Sequence, residues 1–149
     1  MKIKTSLTAA VLSAAASMAF SQGHAEYLNS GAVLPTDLPF SELVVAGNTL
    51  YLSGQIGNVP GTLELAEGGI TAESQQVMEN IKTSLEAHDY SLTNLVKCSV
   101  MLDDIGEWGA FNTVYTEFFE PGKFPARAAF GADGLALGAR VEVDCIGVK

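Results

Sequence analysis

Arg127 and Glu142 are the side chains of this sequence whose surroundings most ask for a chemical explanation. Arg127 sits between Ala126 and Ala128, after Phe124-Pro125, in a run that reads as a strand. A guanidinium there is costly unless an anion meets it. The anion is either a neighbouring carboxylate or a ligand carboxylate gripped in bidentate fashion. Glu142, in the next strand-like segment, is the internal candidate, and patterning alone favours that structural ion pair. Ser53-Gly54-Gln55 is a further small polar group at a strand end, suited equally to a turn or to lining a site.

Other chemistries fall away by elimination. The histidines are His24 and His88, and no HExxH pattern offers a metal site built by the protein. His88 reads as a solvated last-turn residue favoured by the helix dipole. No G-x-S-x-G elbow presents a nucleophilic serine, and no glycine-rich phosphate loop calls for a nucleotide. Cys98 and Cys145 both lie in strand-like runs beside valines, where buried structural thiols are the default and a disulfide stays open. The expected chemistry therefore uses arginine and carboxylate, with no metal and no organic cofactor.

The elements that must position these groups are legible in outline. Ser41–Ala46 and Thr49–Gln55 read as two strands joined by a tight turn at Gly47-Asn48. A glycine-rich stretch from Gly54 to Gly69 has room for one more short strand. Thr71 looks like an N-cap for a helix with Val77, Ile81 and Leu85 on one stripe, ending near His88. Val96–Leu102 is the next strand, and Trp108, Phe111, Val114, Tyr115 and Phe118 mark a second helix closed by Pro121-Gly122. Phe124–Phe130 and Arg140–Val148 finish the chain as strands. Such an order predicts an α+β fold, a single sheet with two helices on one face. In Arg140–Val148, alternation turns Val141, Val143 and Cys145 to one side and Arg140, Glu142, Asp144, Ile146 and Val148 to the other. A face charged at one end and apolar at the other suits packing against another subunit, so an oligomer is expected.

The chain opens with an export pattern. Lys2 and Lys4 precede the uncharged run Leu7–Phe20, and Gly23-His24-Ala25 offers a small-x-small cleavage site. Fourteen residues are too few to span a bilayer, which needs about 20. Residues 1–25 thus read as a secretory signal and residues 26–149 as one mature domain with no membrane attachment. In a Gram-negative bacterium its destination is the periplasm. The whole chain of 149 residues has a formal charge of −9. Residues 26–149 hold 6 basic and 17 acidic side chains, a balance of −11 that repels phosphate backbones and argues against nucleic-acid partners.

At this level the sequence resembles the Rid family of enamine/imine deaminases. The matching features are Leu50-Tyr51-Leu52-Ser53-Gly54-Gln55-Ile56, Asn80-Ile81, Val96-Lys97 and Phe111-Asn112-x-x-Tyr115-x-x-Phe118-Phe119. Phe124-Pro125-Ala126-Arg127 and Gly138-Ala139-x-Val141-Glu142-Val143 complete the likeness, which runs from about Pro39 to Val148. It implies a chorismate-mutase-like mixed sheet, assembled as a homotrimer with sites in the clefts between subunits. It further implies that Arg127 binds a substrate carboxylate, that Glu142 positions or activates water, and that Ser53, Gly54 and Asn112 line the site. Phe40 stands where the family's archetypes carry a tyrosine, and Ala129 where they carry a cysteine.

The leading expectation is an exported deaminase that hydrolyses 2-imino acids to 2-keto acids and ammonia. A cationic clamp and one carboxylate beside a water suffice for that reaction. The alternatives are a non-catalytic trimer that binds small carboxylates or protects other proteins, and, more remotely, a ribonuclease.

Overall fold

The computed structural model describes residues 24–149. The leader assigned to residues 1–25 lies outside the described residues apart from its last two positions. Six strands form one mixed sheet: β1 (Glu26–Leu28), β2 (Leu43–Ala46), β3 (Thr49–Ile56), β4 (Leu95–Leu102), β5 (Ala126–Gly131) and β6 (Val141–Val148). Their order across the sheet is β1-β2-β3-β6-β4-β5. Every pairing is antiparallel except β4 with β5. Two helices, α1 (Gly69–Glu86) and α2 (Trp108–Tyr115), pack on one face, with 3-10 turns at Ile105–Glu107 and Thr116–Phe118 extending α2. The expected α+β architecture holds.

The core lies between helices and sheet. Val77, Met78, Ile81 and Leu85 of α1 meet Leu43, Leu50, Leu52, Val100, Val141 and Val143, all buried. The β2–β3 hairpin turns as expected, with Ala46 opposite Thr49 and Gly47 at φ 61°, a left-handed value that glycine adopts freely. The expected strand within the glycine-rich stretch reduces to a single bridge between Asn58 and Leu65.

Three local expectations are corrected. Helix α1 starts two residues before Thr71, with Gly68 as its N-cap, so Thr71 lies inside the helix. Glu73 is buried, and its carboxylate accepts the Arg140 backbone N–H at 2.8 Å, tying α1 to the entry of β6. Cys98 and Cys145 are directly paired across β4 and β6 and form a disulfide, replacing the expected pair of free thiols. His88 is no solvated helix end: its Nε2 lies 3.1 Å from Oε2 of Glu42, with little of either side chain exposed.

Glu42 is the hub of a buried polar cluster. Besides His88, its carboxylate accepts from the Ser30 backbone N–H at 2.8 Å, the Ser30 hydroxyl at 2.7 Å and the Ser84 hydroxyl at 2.6 Å. Burial alone would raise its pKa, but the bonds from Ser84, Ser30 and His88 outweigh burial and leave it lowered. The cluster clamps residues 29–42 against α1 and so sets the course of the segment carrying Leu34, Leu38 and Phe40. At the C-terminal end of β3, the buried Asn80 amide donates to the carbonyls of Ile56 and Asn58, both at 2.9 Å, and pins the chain as it leaves the sheet.

Candidate active site

Pairing register decides what Arg127 and Glu142 can do. Arg127 on β5 is opposite Cys98, which belongs to the helix-covered core. Glu142 on β6 is opposite Met101, between Val141 and Val143, which are themselves turned to the helices. Side chains opposite one another share a sheet face. Arg127 therefore projects to the helix side at the sheet edge, and Glu142 to the uncovered side, with β4 running between their strands. The internal ion pair between them does not form.

The surroundings of Arg127 come from α2. One guanidinium nitrogen donates to Oδ1 of Asn112 at 2.6 Å. The guanidinium carbon lies 4.6 Å from the Tyr115 ring centre and 5.7 Å from that of Phe111. Aromatic faces and an amide oxygen orient the cation without neutralising it. Among the described residues no carboxylate lies within ion-pair distance. Two shallow depressions meet at this guanidinium, one also lined by Ala129 and Trp108, the other by Asn112 and Tyr115. The Tyr115 hydroxyl is buried and has no hydrogen-bond partner among the described residues. Burial raises its pKa, opposed by the charge of Arg127.

Glu142 belongs to a different cavity, of about 400 Å³, shared with Phe40, Ser53 and Gly54. The β3–β6 ladder is irregular between Leu52 and Gln55, which carries Ser53 and Gly54 out of regular pairing. Gly54 leaves room for Glu142: a Cβ there would sit 3.0 Å from Cδ of Glu142 and push its carboxylate out of this position. The Ser53 hydroxyl donates to the Ser41 carbonyl at 2.6 Å, leaving its oxygen able to accept a bond from a ligand N–H. Burial raises the Glu142 pKa, and the neighbouring Asp144 adds to the effect. A carboxylate so perturbed, facing a cavity, is suited to taking and returning protons.

The seven residues expected at the site thus fall into two groups. Phe40, Ser53, Gly54 and Glu142 share one cavity, while Arg127, Asn112 and Ala129 share the other region. Sequence reasoning missed Tyr115 and Trp108 as neighbours of Arg127, having read both as a helix stripe. It missed Leu137 at the Glu142 cavity altogether. The FNxxY spacing, which sets Asn112 and Tyr115 about one helical turn apart, was the available signal. No group of three or more His, Cys, Asp or Glu able to hold a metal ion occurs among the described residues.

The family model described as endoribonuclease L-PSP matches residues 32–149. A 2-iminobutanoate/2-iminopropanoate deaminase of Capra hircus is 40% identical over 111 residues, covering 74% of this chain and 80% of that protein. The crystal structure of yeast Mmf1 superposes with a TM-score of 0.79 at 31% identity, covering 85% of this chain and 99% of Mmf1. RidA of an Antarctic Psychrobacter is 36% identical with a TM-score of 0.74, covering 83% and 98% of the two chains. A six-stranded mixed sheet carrying two helices on one face, matched over nearly all its length, shows that this chain belongs to the Rid/L-PSP family.

Proposed function

We propose that the chain is an exported homotrimeric deaminase that hydrolyses 2-imino acids, each site formed where the Arg127 side of one subunit meets the Glu142 side of the next. One observation carries this reading. Among the described residues, a guanidinium without a counter-ion and a carboxylate without a hydrogen-bonding partner lie on opposite faces of one sheet. Neither completes a site alone, and each supplies what the other lacks. The uncovered face also exposes Tyr51, Phe130, Ile146 and Val148, apolar surface that a second subunit would cover. The names borne by the deaminase relatives support the choice of reaction.

Each residue has a part in hydrolysis. Arg127, steered by Asn112 and Tyr115, grips the substrate carboxylate. The Ser53 oxygen accepts from the imine N–H, and Glu142 takes a proton from water as its oxygen adds to the imine carbon. That proton passes to nitrogen, giving a carbinolamine. Glu142 then takes the carbinolamine hydroxyl proton and delivers it to the amino group, and the C–N bond breaks as the carbonyl forms, releasing the 2-keto acid and ammonia. Water, imine, keto acid and ammonia balance with nothing else consumed.

The leader pattern of residues 1–25 and the Cys98–Cys145 disulfide both support an oxidising destination outside the cytoplasm. Ribonuclease activity is disfavoured by the −11 balance of residues 26–149, from 6 basic and 17 acidic groups. The test is ammonia release from an imine generated in situ by an amino-acid oxidase. Acceleration that saturates with imine supports the reading. Keto-acid binding without acceleration would assign the carboxylate-binding alternative instead.

A further inference from the structure

The cavity beside Glu142 is larger and more apolar than an alanine-derived imine requires. Its volume is about 400 Å³, and Ser53 and Glu142 are its polar side chains, set against walls of Leu34, Leu38, Ile56 and Leu63. Leu137 completes the wall from a strained position, at φ 58° and ψ 12° in the 3-10 turn Ala136–Gly138. A leucine with left-handed φ is unfavourable, and within its own subunit the side chain recovers little, since Leu137 is 57% exposed there. Leu63 and Phe40 are likewise exposed, at 51% and 46%. Three large apolar groups, one on unfavourable backbone, therefore converge on a cavity that they do not fill within one subunit. The opposite wall is held firmly, because the Glu42 cluster anchors the segment bearing Leu34 and Leu38.

We propose that this cavity selects 2-imino acids with large apolar side chains, branched aliphatic or aromatic, over imines the size of alanine's, and that Leu137 is a specificity-determining residue. The inference rests on the imine-hydrolase reading. With the carboxylate held by Arg127 and the imine carbon beside Glu142, the substrate side chain points into the leucine-lined space. Each buried methylene favours the larger substrate by about fourfold. An isobutyl group in place of a methyl should therefore raise kcat/KM by at least about tenfold, allowing for incomplete burial.

The experiment compares imines made in situ from leucine, phenylalanine and alanine by amino-acid oxidases, reading ammonia release with the intact protein. In parallel, calorimetry compares binding of 4-methyl-2-oxopentanoate and pyruvate. The expected result is a preference of about tenfold or more for the leucine-derived imine and its keto acid, shrinking towards unity in Leu137→Gly. Equal or reversed preference in turnover would overturn the proposal, as would an undiminished preference in Leu137→Gly. If no imine is hydrolysed faster, the deaminase reading fails and the keto-acid titration alone decides. Selective binding of the larger keto acid then sustains the cavity's preference, and equal binding ends it.

Discussion

Glu142→Gln separates a catalytic carboxylate from a structural one. The substitution keeps side-chain shape and removes the charge. Among the described residues no hydrogen bond or ion pair holds this carboxylate, so the change strands no partner there. Burial, aided by Asp144, raises its pKa, so the folded state retains a proton more readily than the unfolded chain. Charged Glu142 thus opposes folding, and this disadvantage grows as pH rises from the unfolded pKa through the raised folded one. Denaturant unfolding at neutral pH should find the variant within about 0.5 kcal/mol of the parent, or slightly more stable. Any advantage should vanish below the ordinary carboxylate pKa, where both chains are neutral at this position. Turnover should fall about a hundredfold, equivalent to roughly 2.7 kcal/mol of activation free energy, with keto-acid affinity changed only a few-fold. A loss of about 3–5 kcal/mol in stability would show that Glu142 is one half of a buried ion pair and refute the reasoning. Full turnover in a folded variant would refute it equally.

Two further outcomes follow from the scaffold. Folding lowers the Glu42 pKa, so its contribution is complete above the ordinary value of 4.5 and is lost as pH falls through the folded value. Glu42→Gln should cost about 2–3 kcal/mol at neutral pH and flatten the acid limb of a stability profile; an unchanged acid limb would contradict the role of the Ser30–Ser84–His88 cluster. Replacing Cys98 and Cys145 together by alanine releases a loop of sequence separation 47. Loop-closure entropy then predicts a loss of up to about 4 kcal/mol, checked by denaturation, with the parent protein showing no free thiol by mass spectrometry after alkylation.

How much was legible in advance depended on the range of the interactions concerned. The Gly47-Asn48 hairpin and the buried stripe Val77–Ile81–Leu85 are local, and both stand where periodicity and turn chemistry put them. Strand β1 escaped notice because three residues, Glu26–Leu28, carry no period and owe their conformation to pairing with β2. His88 was misread because its partner Glu42 is 46 residues distant, beyond any local pattern. The disulfide could be named as an option but not chosen, since the β4–β6 register that sets Cys98 opposite Cys145 is a tertiary fact. Arg127 and Glu142 looked like a pair because their strands follow in sequence, yet β4 is inserted between them in the sheet. Leu137 has no sequence signal at all, as its left-handed backbone is imposed by the turn around it.

Complementation between two inactive variants tests the central claim most directly. Arg127→Ala and Glu142→Gln are produced together, separated from parental protein, and assayed as mixed trimers against each variant alone. If each site takes Arg127 from one subunit and Glu142 from its neighbour, random mixing restores about one quarter of the clefts, and with them about one quarter of parental ammonia release. Mixed assemblies no more active than the separate variants would contradict a site shared between subunits.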